Sequence, residues 1–233
     1  MSIIGKRLAW DTRLATAYDR TASAMTETLY SSLRETLGAD LFQGLAGGGL
    51  ILDAGCGPGR FMARLAQDAP QATVVGLDFS STMIGLAAAR LATLKTDRCH
   101  LIQGDTHHLP FTDGSFEAVI STCVLKYWTT TAVACLNEMH RVGKPHAAII
   151  LVEMNPEATK EEKDNWKRQL ALWLRGRPLQ ALVRQWLFEH ILLPKSLSIS
   201  DLERLARSAN FSSIDIRALR GCPFIAATMR KSE

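Results

Sequence analysis

Residues 53–59 read DAGCGPG, three glycines at alternate positions behind a single acid, and they follow the apolar run LIL at 50–52. Glycine weakens strands and helices, so Gly55, Gly57 and Gly59 within five positions need a structural reason. A tight turn leading from a buried strand into a helix supplies one. Gly55 and Gly57 leave bare backbone against which a ligand can lie, and Gly59 lets the helix pack close to the strand. The helix N-terminus points unsatisfied N–H groups at that turn. Dinucleotide-binding turns use the spacing GxGxxG and rest a pyrophosphate on those donors. Here the spacing is GxGxG, and Asp53 stands two residues ahead of the first glycine, where it would repel phosphates. An acid there suits a ligand that carries positive charge.

The elements that must position this turn are legible along the chain. Leu50–Asp53, Thr73–Asp78, Leu101–Gly104, Phe116–Ser121 and Ala147–Val152 read as short apolar strands. Arg60–Asp68, Ser81–Leu94 and Thr130–Arg141 read as helices between them. Strands alternating with helices at this rhythm predict a parallel sheet covered on both faces, with ligands at the carboxyl ends of the strands. Leu14, Tyr18, Met25, Leu29, Leu33 and Leu37 keep a helical spacing and predict a helical segment over 1–46. Ser213–Ala218 and Pro223–Met229 predict an antiparallel hairpin at one edge of the sheet.

Composition narrows the class. The chain has 233 residues, of which 47% are apolar and 21% charged, with a net charge of +4. That fits one globular domain and is too weakly basic to imply nucleic acid. The five cysteines are scattered, with no CxxC pair, and read as reduced thiols in a cytoplasmic protein. No apolar run approaches a membrane span, and the first ten residues lack the apolar core of a secretory signal.

The segment LILDAGCGPGR resembles the first motif of class I S-adenosylmethionine-dependent methyltransferases, in its DxGCGxG form. The cofactor's ammonium and sulfonium match the acid at 53. VVGLDFSSTMIGLAAAR, IQGDTHHLPFTDGSFEAVIS, STCVLKYW and NEMHRVGKPHAAIILVE follow in order and resemble the next segments of the UbiE-like branch of that family, methyltransferase type 11, over residues 50–155. The resemblance implies a Rossmann-like, doubly wound, mostly parallel seven-stranded α/β sheet with an antiparallel C-terminal strand pair. It implies that Asp53, Gly55, Gly57 and Gly59, with Cys56 as a small packing residue inside the turn, hold the methionine part of the cofactor. Asp78 would accept from both ribose hydroxyls, two oxygens on one carboxylate suiting a vicinal diol. Phe79 and Met83 would flank the adenine, Gly104, Asp105 and Thr106 would take its edge, and Ser121 and Thr122 would end the fourth strand beneath the cofactor. S-adenosylhomocysteine would be the product. Two departures stand out. The turn that usually reads LKPGG is here Gly143-Lys144-Pro145-His146-Ala147, and Lys126, Tyr127 and Trp128 stand where UbiE-like chains often carry histidines.

No catalytic base is evident, and methyl transfer does not always need one, because the cofactor carries the hard chemistry. His107, His108, Tyr18 and Tyr127 are the candidates, an exposed histidine pair and a core tyrosine being the plainer alternatives. Tyr18, Lys126, Tyr127, Trp128 and Trp173 are candidates to line the acceptor pocket, with ordinary packing as the competing reading. The histidines lack metal-ligand spacing, so no metal is expected.

Residues 156–200 are the most individual part. Trp166, Leu170 and Trp173 share a helical face, and Lys167, Arg168, Arg175, Arg177 and Arg184 supply charge. The segment reads as a helical lid over the acceptor pocket, as a peripheral membrane contact through 163–193, or as a subunit interface. The division expected is a helical cap over 1–46, a cofactor-binding core over 50–155, this insertion, and a C-terminal helix and hairpin over 201–233. The expectation is methyl transfer to a small, rather apolar acceptor, with no nucleic-acid partner, by a monomer or homodimer. The competing functions are a cofactor-binding module that performs no methyl transfer and an NAD-dependent dehydrogenase, against which the glycine spacing weighs.

Overall fold

The computed structural model describes residues 19, 26–37, 48–128, 130–173 and 196–231. Tyr18, the side chains of Lys126 and Trp173, and 174–195 lie outside the described residues. Helix α1 spans 26–37. It is followed by β1 (Gly49–Ala54), α2 (Arg60–Asp68), β2 (Ala72–Asp78), α3 (Ser81–Leu91), β3 (Cys99–Gln103), β4 (Phe116–Thr122), α4 (Ala132–Val142), β5 (Gly143–Met154), α5 (Lys160–Trp173), α6 (Ile199–Ser208), β6 (Ser213–Ala218) and β7 (Phe224–Arg230).

The seven strands form one sheet in the order β3-β2-β1-β4-β5-β7-β6. β1 to β5 pair in parallel, and β7 lies antiparallel between β5 and β6. The central strands are apolar nearly throughout because both faces are covered. One face packs α1 and α2 through Leu29, Tyr30, Leu33, Phe61 and Met62, together with Trp166 of α5 and Phe224 of β7. The other packs α4 and α6 through Leu136, Met139, Leu202 and Ala206. Strand order reverses at β1 and β4, the place where this architecture opens a crevice at the strands' carboxyl ends. The glycine turn follows β1 at that point.

Local chemistry sets the helix starts. Ser80 caps α3, its Oγ accepting from the Met83 N–H at 3.3 Å. Ser198 and Asp201 form a reciprocal capping box on α6. At the departure from LKPGG, β5 begins at Gly143, opposite Phe116, and the ladder shifts before Ala148 pairs with Ala118. His146 sits in this irregular stretch at φ 65°, a left-handed conformation that usually goes to glycine.

Trp166, the first tryptophan of the insertion, is buried and meets Phe224 edge to face with ring centroids 5.1 Å apart. That end of the insertion is therefore part of the core. Among the described residues no helix is long and apolar enough to cross a membrane.

Candidate functional site

The chain leaves β1 at Ala54 and is pulled back over β2 at once. The N–H groups of Gly55 and Cys56 both donate to the Leu77 carbonyl, at 2.7 and 2.9 Å. All three glycines of the turn have positive φ, at 82°, 52° and 70°. What surrounds them differs. A Cβ on Gly55 would meet the Val124 side chain at 2.4 Å, and one on Gly59 would meet Ala87 of α3 at 2.8 Å. A Cβ on Gly57 would meet nothing within 4 Å. Gly57 alone therefore faces open space above the strand ends. Gly55 admits the loop after β4, and Gly59 lets α2 approach α3, where the strand had been expected.

Asp78 fastens the turn. Its Oδ2 accepts from the Gly57 N–H and its Oδ1 from the Ser80 N–H, both at 2.9 Å. Each carboxylate oxygen keeps acceptor capacity beyond one bond, so a diol remains compatible with this role. The Gly57 donor is thus spent on a carboxylate, which leaves the turn poorly suited to an anion. The nearby cations are also committed. Arg60 and Arg90 both reach Asp19, at 2.9 and 3.0 Å, and Arg90 also donates to the Pro58 carbonyl. Asp19, ahead of α1 in the chain, is so tied to the glycine turn.

Asp53 lies under the turn, in β1 between Gly76 of β2 and Ile120 of β4. It is 0% exposed, and neither carboxylate oxygen has a hydrogen-bond partner among the described residues. Burial raises its pKa to about 7, and the Asp78 charge adds to the rise. The Met62 N–H at the start of α2 favours the charged form, though at a geometry short of a hydrogen bond. Enclosed in this way, Asp53 has no exposed surface with which to touch a ligand in the crevice. Cys56, inside the turn, is buried, and burial with the two aspartates pushes its thiol well up, which makes it a packing residue.

The second wall comes from the loop after β3. The Gly104 N–H donates to the Asp78 carbonyl at 3.0 Å, which sets Asp105 beside that acid. Asp105 Oδ1 accepts from the His107 backbone N–H at 2.9 Å and lies 2.7 Å from His107 Nδ1. His107 Nε2 lies 2.8 Å from Thr131 Oγ1, so both ring nitrogens are engaged. His108 is exposed. The Thr106 hydroxyl turns inward to Cys135 Sγ at 3.6 Å, and the residue is buried. Phe79 meets the Trp128 ring edge to face at 6.1 Å, and His107 meets it at 4.6 Å, forming an aromatic wall across the ends of β2 and β4. Met83 is buried.

The third wall is the loop after β4. The Ser121 hydroxyl donates to the Ala54 carbonyl at 2.8 Å, and Thr122 is half-buried at the strand's end. Cys123 has a φ of 59° and turns the chain into a short 3-10 turn, Leu125–Tyr127. Glu153 of β5, 1% exposed, accepts from the Leu125 N–H at 2.8 Å and so fixes that turn. Tyr127 is half-buried against the apolar cluster, and Trp128 follows it. Sequence reasoning singled out neither Glu153 nor Asp19. A lone acid ending the run AAIILVE was a signal for the first.

The residues present fit a cofactor with a cationic amino-acid part, a diol and an amino-purine. One enclosed acid, Asp53, lies under the turn, the Asp78 carboxylate sits beside it, bare backbone is open at Gly57, and aromatic rings with the Asp105 carboxylate stand alongside.

Comparison with known proteins agrees. Residues 46–209 match the model of a methyltransferase domain family. The demethylmenaquinone methyltransferase of Lactobacillus johnsonii is 29% identical over 175 residues, covering 74% of this chain and 71% of that protein. The malonyl-[acyl-carrier protein] O-methyltransferase of Legionella pneumophila is 30% identical over 116 residues, covering 50% of this chain but only 40% of that protein. Magnesium protoporphyrin IX methyltransferase of Synechocystis, solved with bound S-adenosylhomocysteine, shares the fold with a TM-score of 0.65 at 18% identity, covering 99% of this chain and 100% of that one. The chain belongs to the methyltransferase domain family, as a class I S-adenosylmethionine-dependent member of the UbiE-like kind.

Proposed function

We propose that this chain transfers the methyl group of S-adenosylmethionine to a small, rather apolar acceptor that enters between the loop after β4 and the insertion after β5. The cofactor, when bound, supplies an activated methyl group on a good leaving group. The protein's part is to hold the acceptor in line and keep water out. The observation that carries the reading is the glycine turn. Its one open glycine, Gly57, lies above Asp53 and beside Asp78, so the crevice is negative where the methionine part would lie. Asp78 would take the ribose diol, Asp105 the adenine amino group, and Phe79 with Trp128 the flank of the ring system. Asp53 would contribute a field that favours the ammonium and sulfonium.

The acceptor side is built from Tyr127, Trp128 and the residues around them. Tyr18, Lys126 and Trp173 keep their proposed places there as residues to be tested. His107, with both ring nitrogens engaged, is badly placed to take a proton from an acceptor. That favours acceptors with a lone pair already available, such as carboxylates, thiolates and free amines, over phenols. The relatives named for malonyl-[acyl-carrier protein] and for demethylmenaquinone supply two probes of contrasting chemistry.

The test is a methylation assay that follows S-adenosylhomocysteine release with a panel of carboxylate, thiol, amine and quinol acceptors, each with and without anionic vesicles. Acceptor-dependent release in a carboxylate, thiol or amine arm supports the reading. Turnover with quinols alone would contradict the argument from His107. Cofactor binding without turnover across the panel would favour a cofactor-binding module that does no transfer.

A further inference from the structure

Asp105 is the acid that the proposed function gives to the adenine amino group, and the inference here rests on that reading. A carboxylate is a poor reader of one donor unless its rotation is fixed, because the terminal torsion of aspartate is broad and nearly two-fold. In this chain the fixing is local. Oδ1 takes the His107 backbone N–H at 2.9 Å and faces His107 Nδ1 at 2.7 Å, and no described residue bonds Oδ2. The imidazole is itself held at three points. Its Nε2 meets Thr131 Oγ1 at 2.8 Å, at the start of α4. Its ring stands at 88° to that of Trp128, with centroids 4.6 Å apart. Its backbone lies in the turn where the His108 N–H donates to the Asp105 carbonyl at 3.0 Å.

The proton arrangement follows from these partners. A carboxylate accepts only, so Nδ1 carries the hydrogen and donates. In the neutral ring Nε2 then accepts, and the Thr131 hydroxyl donates to it. The Asp105 carboxylate thereby sets the tautomer, and the Thr131 hydroxyl, able to donate or accept, adapts to it and holds the ring in place. Burial pushes the Asp105 carboxyl up, but the bonds from His107 outweigh it and hold the group below the ordinary aspartate range. Asp105 is therefore an ionised acceptor with one oxygen committed to His107 and the other available to a ligand.

We propose that His107 is a positioning residue for base recognition: with its Nδ1–H given to Asp105 and its ring held in place by Thr131, it locks Asp105 so that Oδ2 alone meets the 6-amino group of the cofactor's purine. His107 then touches no reacting atom and is no general base. Its loss should show as lost discrimination between purines, more than as lost binding of any purine.

The experiment measures the affinities of S-adenosylhomocysteine and S-inosylhomocysteine, which has a carbonyl oxygen in place of the 6-amino group. The full chain is used as wild type, His107→Ala, His107→Asn, Thr131→Val and Asp105→Ala, each first shown to melt cooperatively. A carboxylate facing that carbonyl is repulsive, so wild type is expected to prefer the adenine form by tenfold or more, about the factor for a charged hydrogen bond. In His107→Ala that preference should fall about fivefold or more, chiefly through weaker adenine binding. His107→Asn should restore most of it, since asparagine Nδ2 stands where imidazole Nδ1 does. Thr131→Val should lower it by a smaller factor, and it serves as the test should His107→Ala not fold. Equal weakening of both ligands in His107→Ala would show a merely structural role and overturn the proposal. A wild-type preference that survives Asp105→Ala would show instead that Asp105 does not read the base, so the two failures are distinguishable.

Discussion

Replacing Asp53 with asparagine is expected to make the ligand-free protein more stable near neutral pH and a poorer binder of its cofactor. Burial and the Asp78 charge hold the Asp53 carboxyl at about 7, against the ordinary 3.8. In the unfolded chain the group ionises near its ordinary value. Between the two values the unfolded state has released the proton and the folded state keeps it, so stability falls as pH rises and levels off above the folded value. Across the window from 3.8 to about 7 the loss is about 4 kcal/mol, and the part between about pH 5.5 and 7 is about 2 kcal/mol. Asparagine is a neutral near-isostere and has no such dependence. The assay is urea unfolding of both proteins at about pH 5.5, 7 and 8.5. The variant's advantage over the parent should grow by about 2 kcal/mol from the first pH to the second, and by little from the second to the third. A difference that stays constant across the series would refute the reasoning, because Asp53 would then ionise normally in the fold. In the same samples S-adenosylhomocysteine should bind the variant about tenfold more weakly at about pH 8.5, where the parent carries the charge, and nearly equally at about pH 5.5.

The glycines of the turn should separate by assay. Gly59→Ala drives a Cβ to 2.8 Å from Ala87 and should lower stability by about 2 kcal/mol or more. Gly57→Ala meets only open space and should cost about 1–2 kcal/mol through its positive φ, while abolishing measurable cofactor binding. Thermal melts with and without S-adenosylhomocysteine check both, and a Gly57→Ala protein that binds normally would move the cofactor away from this turn. Asp78→Ala removes the acceptor of the Gly57 and Ser80 N–H groups and should weaken cofactor binding by about 1.5–3 kcal/mol, read by calorimetry; unchanged affinity in folded protein would displace the ribose from Asp78. His146→Gly relieves a positive φ in the irregular start of β5 and should raise stability by about 0.5–1 kcal/mol in urea unfolding, whereas a loss would mean that the His146 side chain outweighs its backbone strain.

The parallel half of the sheet was legible because its strands are buried on both faces, so that VVGLD and LILDA stand out as apolar runs ended by an acid. The hairpin of β6 and β7 was legible from its two short runs around Gly221. The start of β5 was not. Lys144, Pro145 and His146 read as a turn, yet Gly143 already pairs with Phe116, because three extra residues are absorbed in an irregularity of the ladder. The separate tasks of the three glycines were also hidden, since Val124 and Ala87 are distant in sequence and only tertiary packing brings them to Gly55 and Gly59. Asp53 was legible as the acid near the end of β1 ahead of the glycine turn, but its complete enclosure was not, because burial is set by strands β2 and β4 on either side. His107 was noted as a candidate base. Only the positions of Asp105 and Thr131 on either side of its ring change that reading to a positioning one.

The measurement that bears most directly on the account is calorimetric titration of the purified chain with S-adenosylmethionine and, in parallel, with S-adenosylhomocysteine and NAD. The account predicts binding of the first two with dissociation constants in the micromolar range or below, and none of NAD. Failure of both adenosyl compounds to bind protein shown to be folded would contradict it, and tighter binding of NAD would mean that the turn beneath Gly57 accepts phosphates despite Asp53 and Asp78.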